Sequence, residues 1–285
     1  MRAEDLQDQL DAALGAPAPA GLPPAERDAW DHLADGDLGE GRLRVERLGG
    51  HVQLRFDNPA ARGALSVRMM LQLSRASLTA LPAGVGRVLR GGAPGSFCAG
   101  GDLRAVRARL GAPTGGAAMH ALMVGALRRL QADEAPLVAL VEGPALGGGA
   151  ELCTWADEVL LVRGALIGFP QLRLGLSPGW GGGLRLIRRI GGAAAGRLLR
   201  RAAPIGAEEA LQIGLVDELL DVGEEETRAE ATLDRLGALP AGALPALRRL
   251  LDSADPHVEA EVFLDRWGGP AHRAALDAVP QGRRG

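Results

Sequence analysis

The chain has no lysine and no tyrosine, and Asn58 is its only asparagine. All 32 basic residues are therefore arginine. These absences exclude a Schiff-base lysine, a P-loop lysine and a tyrosine proton donor, and with them pyridoxal enzymes, P-loop nucleotide hydrolases and tyrosine-dependent reductases. Cysteine is scarce: Cys98 and Cys153 cannot build a disulfide framework, and each reads as a buried free thiol. The five histidines, His32, His51, His120, His257 and His272, are too scattered for a metal site, so no metal is expected. No CxxC pair occurs, which argues against dithiol chemistry. No apolar run approaches membrane-spanning length and no signal-peptide core follows Met1–Leu6, so the expected location is the cytoplasm. Aromatic residues make up 3% of the chain and the net charge is −3, a poor basis for nucleic-acid binding.

At 285 residues, 47% of them hydrophobic, the chain suits one large domain with an appended segment. Residues 1–40 divide into an amphipathic piece (5–14), an Ala-Pro linker (15–24) and a second short helix (25–33), together an N-terminal arm. The alternating runs 42–48 and 51–56 flank Gly49-Gly50 and predict a hairpin. Ser66 caps a predicted helix to Leu78. Apolar strands at 85–89, 137–141 and 159–162, separated by helical stretches, predict an α/β fold with a largely parallel sheet.

What carries chemistry is a pair of glycine-rich stretches, Phe97-Cys98-Ala99-Gly100-Gly101-Asp102-Leu103 and Ala145-Leu146-Gly147-Gly148-Gly149-Ala150-Glu151-Leu152. Each places bare backbone amides at the start of a predicted helix, where a ligand oxygen can approach closely. Two such amides converging on one carbonyl oxygen would stabilise negative charge developing there. Arg185, Arg188, Arg189, Arg197, Arg200 and Arg201 form a basic stretch that reads as a solvated helix face, with phosphate binding as the alternative.

The two stretches, their order, and the later Phe169-Pro170-Gln171-Leu172-Arg173-Leu174-Gly175-Leu176-Ser177-Pro178-Gly179-Trp180-Gly181-Gly182 resemble the crotonase (enoyl-CoA hydratase/isomerase) superfamily over about residues 42–220. The resemblance implies a ββα spiral core at 41–222 and a helical C-terminal region at 223–285 that supports a trimer or a dimer of trimers. It puts the oxyanion-hole amides on Gly101 and Gly148, and the substrate contacts around Gly63-Ala64-Leu65 and Gly101-Asp102-Leu103-Arg104; Trp180 reads either as an acyl-pocket wall or as a buried packing residue. CoA would enter as part of a thioester substrate, with no separate cofactor. In hydratases of the family, the glutamate matching Glu151 shares a water with a second acid 20 residues on, a position held here by Gln171. Glutamine cannot exchange a proton at neutral pH, which counts against hydration and isomerisation. Val67–Leu73, Leu103–Val106, Ser177–Gly182 and Trp267–Ala271 further resemble the ethylmalonyl-CoA decarboxylase branch, and the related methylmalonyl-CoA decarboxylases also lack the second acid. The expected function is thus decarboxylation of a malonyl-type CoA thioester, with Gly101, Gly148 and Glu151 as catalytic residues. An enoyl-CoA hydratase or isomerase is the alternative, and a non-catalytic CoA- or RNA-binding protein of the same fold is the third.

Overall fold

The computed structural model describes residues 3–12, 16–92, 95–109, 113–253 and 255–278. Two helices open the chain, α1 (Ala3–Ala12) and α2 (Pro24–Ala34); residues 13–14 of the first expected helix lie outside the described residues. The expected hairpin follows as β1 (Arg42–Leu48) and β2 (His51–Asp57), antiparallel with Leu48 opposite His51. Next comes α3 (Val67–Ala76), whose Ser66 cap accepts a hydrogen bond from the Met69 amide at 3.3 Å. The strand expected at 85–89 runs instead as β3 (Arg87–Gly91), because the Val85 amide is spent in a turn on the Pro82 carbonyl.

The chain continues through α4 (Leu103–Arg109), α5 (Pro113–Ala132), β4 (Leu137–Val141), β5 (Ala145–Leu146), α6 (Gly148–Cys153), β6 (Glu158–Val162) and β7 (Leu166–Gly168). It ends with α7 (Gly182–Arg201), β8 (Ile205–Gly206), α8 (Ala207–Gln212), β9 (Glu218–Leu220), α9 (Glu225–Gly237), α10 (Ala243–Leu251), α11 (Pro256–Arg266) and α12 (Pro270–Ala278). Helix α7 breaks at Gly191 (φ 76°, ψ 153°).

Strands β1-β2-β3-β4-β6-β9 form one sheet, parallel from β2 onward, and β5-β7-β8 form a second. Each turn of the chain therefore lays one strand in the large sheet, a short one in the small sheet, and then a helix: β4-β5-α6, then β6-β7-α7. This is the ββα spiral. The centre of the large sheet is buried on both faces, so β4 is an unbroken apolar run: Leu137, Ala139 and Val141 face the main core, while Val138 and Leu140 face a second cluster beneath α9 and α10. The arm belongs to the main core, since Leu6, Leu10, Trp30 and Leu33 pack into it. Arg129 on α5 also bonds Glu26 at 2.5 Å. Among the described residues, no helix is long and apolar enough to cross a membrane.

One buried guanidinium fastens the C-terminal region to the spiral. Arg248 on α10 donates to both Asp157 oxygens, at 2.7 and 2.6 Å, and to the carbonyls of Gln131, Asp133 and Ala135 at 2.7–2.9 Å. All five of its N–H groups are thereby satisfied out of water. Replacing it strands a buried carboxylate, so Arg248→Met is expected to lower stability by about 3–5 kcal/mol in urea unfolding. Arg188→Met breaks only an exposed pair with Asp252 and should stay within about 0.5 kcal/mol of the wild type.

Candidate active site

The spiral's register brings the two glycine stretches together. Cys98 pairs with Ala145 in parallel, and the Leu146 amide donates to the Cys98 carbonyl at 2.8 Å. Counting three residues onward along each turn sets Gly101 level with Gly148. The backbones are close enough that a Cβ on Gly100, itself at φ 99°, would lie 3.1 Å from the Gly148 nitrogen. Gly101 sits two residues ahead of α4 and Gly148 is the first residue of α6. Among the described residues, neither amide meets a protein acceptor.

Trp180 lies across both glycines. A Cβ on Gly148 would fall 2.2 Å from its ring, an impossible contact, whereas one on Gly101 would meet the ring at an ordinary 3.6 Å. Position 148 thus accepts no side chain while the indole stays where it is. Trp180 is 6% exposed, and its carbonyl accepts a hydrogen bond from the Trp155 indole at 2.9 Å.

On the open side, Gly101 borders a cleft of about 550 Å³ with Ala64, Asp102, Leu103 and Arg104. Its walls are braced by the pairing of Leu65 with Gly101: the Leu65 amide donates to Gly100 at 2.7 Å and the Asp102 amide to Leu65 at 2.9 Å. Gly63 has no room for a side chain, since a Cβ would come within 2.8 Å of the Phe97 carbonyl. The Asn58 side chain donates to the Ala64 carbonyl at 2.8 Å, which gives the chain's single asparagine a structural task the sequence did not announce. Arg62, also at the cleft, has the left-handed φ of 53°. The arm reaches this cleft too, through Asp37, Gly39 and Glu40.

Glu151 lies behind the glycines and is 2% exposed. Its Oε1 accepts from the Gln171 side-chain amide at 3.0 Å and the Gly179 amide at 3.1 Å; its Oε2 accepts from the Trp180 amide at 2.7 Å and the Gly182 amide at 3.0 Å. Burial holds its carboxyl above the ordinary range, and the amides of Trp180, Gly179 and Gly182 with Gln171 offset only part of that rise. The Cys98 thiol, wholly buried, is pushed up to about 12 by desolvation and is no nucleophile at neutral pH.

The structure thus gathers Gly148, Glu151, Gln171 and Trp180 on one side of Gly101, and Gly63, Ala64, Leu65, Asp102, Leu103 and Arg104 on the other. The basic stretch of α7 is largely engaged elsewhere: Arg185 and Arg188 pair with Asp252, Arg189 with Asp217 and Arg201 with Glu209. Sequence reasoning missed Arg62, Asn58 and the arm's part in the cleft. It also missed His120, whose Nδ1 donates to the Gly179 carbonyl at 2.6 Å.

The sequence profile described as Enoyl-CoA hydratase/isomerase matches residues 46–260. Among similar proteins, the ethylmalonyl-CoA decarboxylase of Danio rerio is 38% identical over 257 residues, covering 85% of this chain and 84% of the relative. That of Xenopus tropicalis is 36% identical over 80% and 79% of the two chains. Among solved structures, the enoyl-CoA hydratase of Polaromonas sp. JS666 superposes with a TM-score of 0.74 at 25% identity, covering 84% of this chain and 96% of that one. A Thermobifida fusca YX protein solved in complex with CoA does so at 0.67 and 27%, covering 82% and 93%.

The contrast between the two glycines is testable. Gly148→Ala overpacks Trp180 and should cost about 1–3 kcal/mol in urea unfolding, whereas Gly101→Ala should stay within about 1 kcal/mol of the wild type. Equal losses would mean that Trp180 does not lie against Gly148.

Proposed function

Because the chain belongs to the enoyl-CoA hydratase/isomerase family, we propose that it is an acyl-CoA decarboxylase acting on a malonyl-type thioester, ethylmalonyl-CoA or methylmalonyl-CoA. The observation that carries this reading is the pair Glu151–Gln171: the place of a second acid holds a neutral amide, whose nitrogen donates to the first. Water activation between two carboxylates has no basis here. Decarboxylation needs none. As the bond between the α-carbon and the carboxylate breaks, CO2 leaves and its electron pair moves onto the thioester, placing negative charge on the carbonyl oxygen. The free amides of Gly101 and Gly148 are suited to receive that oxygen, and one such donor is typically worth about 3 kcal/mol in the transition state. Trp180 provides buried apolar surface against both glycines. Arg62 and Arg104, exposed at the cleft, are suited to the phosphates of CoA.

The reading includes self-association as a trimer or a dimer of trimers. Helices α11 and α12 bury none of their described residues in the single chain and expose Phe263, Leu264, Trp267 and Leu276. Apolar surface of this kind marks an interface. Sedimentation at micromolar concentration should show the oligomer, and a monomer alone would contradict it.

Incubation with ethylmalonyl-CoA or methylmalonyl-CoA should lower the thioester mass by one CO2, while crotonyl-CoA should gain no water. Hydration without decarboxylation would overturn the reading. Gln171→Glu would set a second carboxylate beside Glu151 and raise the proton affinity of the pair, so a hydratase activity absent from the wild type is expected.

A further inference from the structure

We propose that Glu151 is a positioning residue that holds Trp180 against the two oxyanion glycines, and that it is not the proton donor of the reaction. This deepens the decarboxylase reading and rests on it. Each carboxylate oxygen accepts two N–H groups, and all four donors recognise the anion: Gln171, Gly179, Trp180 and Gly182. A proton on either oxygen would point at a donor and break at least one of these bonds. Three of the four donors are backbone amides of the segment that carries the indole. Glu151 also packs under that segment, since a Cβ on Gly182 would lie 2.6 Å from its Cβ and Cγ.

The same segment is held from its other side, where Trp155 donates to the Trp180 carbonyl and His120 to the Gly179 carbonyl. With both its amide and its carbonyl fixed, Trp180 rests on Gly148 and on Gly101, which borders the cleft. The carboxylate therefore acts through the indole. The proton that replaces CO2 on the α-carbon comes from solvent water: the enolate takes H⁺ and re-forms the thioester carbonyl, and the hydroxide left behind combines with the released CO2 to give bicarbonate.

A double-mutant cycle separates the two roles. Glu151→Gln is expected to lower kcat/KM for CO2 release on the order of 100-fold, as either role would. In a Trp180→Ala background, the same change should cost less than about threefold if Glu151 acts through the indole. A loss undiminished in that background makes Glu151 a proton donor and overturns the proposal. Two readouts involve no turnover. Affinity for butyryl-CoA should show the same non-additivity, and the near-ultraviolet circular dichroism assigned to Trp180, by difference from Trp180→Phe, should change in Glu151→Gln. An unchanged Trp180 signal would also overturn the proposal. Should Glu151→Gln fail to fold, Gln171→Leu removes one donor and leaves the carboxylate in place. Positioning predicts a slower reaction with an altered Trp180 signal; a faster reaction, from an easier proton on Glu151, would contradict it. A wild type that releases no CO2 would sink the decarboxylase reading, while the affinity cycle would still test the role of Glu151.

Discussion

The parallel pairing of Cys98 with Ala145 is the contact on which the site depends. It sets one turn of the spiral against the next, and because both turns then run three residues to a glycine, Gly101 and Gly148 arrive level with each other. A slip of one residue would carry the glycines apart and turn every side chain of the stack to the wrong face. The next layer follows the same rule: Leu146 pairs with Gly168, which brings Gln171 to Glu151. Packing leaves no slack in this register, since a Cβ on Gly149 would lie 2.1 Å from the Cys98 carbonyl.

Electrostatics reinforces what packing sets. Taking the Glu151 carboxylate out of water costs several kcal/mol, and a cost of that size is tolerated when the remaining lone pairs are filled. Here four N–H donors fill them, three of them drawn from the segment that carries Trp180. The two glycine amides lack such partners among the described residues. Their unmet capacity sets them apart from Glu151, whose oxygens are fully satisfied.

Features set by neighbours in sequence were legible beforehand. The hairpin at 42–57 and the Ser66 cap each follow from a local pattern, while family resemblance supplied the spiral and the choice of Gly101 and Gly148 within the two glycine-rich stretches. The strands of the small sheet, Ala145–Leu146, Leu166–Gly168 and Ile205–Gly206, are too short to show an alternating period. Contacts between distant residues left no local signal either: Trp180 and Gly182 reach Glu151 across 29 and 31 residues, and Glu26 meets Arg129 across 103. The arm was therefore readable as two short helices, though not as part of the core or as a wall of the cleft. Gln171 was legible as a missing acid, but its bond to Glu151 required the fold.

The central claim is that the amides of Gly101 and Gly148 bind the thioester oxygen. It is tested most directly by comparing the affinities of an inert CoA thioester and the matching thioether, which lacks only that oxygen, on the unaltered protein. If both amides bond the oxygen, the thioester should bind more tightly by about 1–3 kcal/mol. Equal affinities, with the oxygen of the bound thioester lying beyond about 3.5 Å from both nitrogens, would contradict the claim.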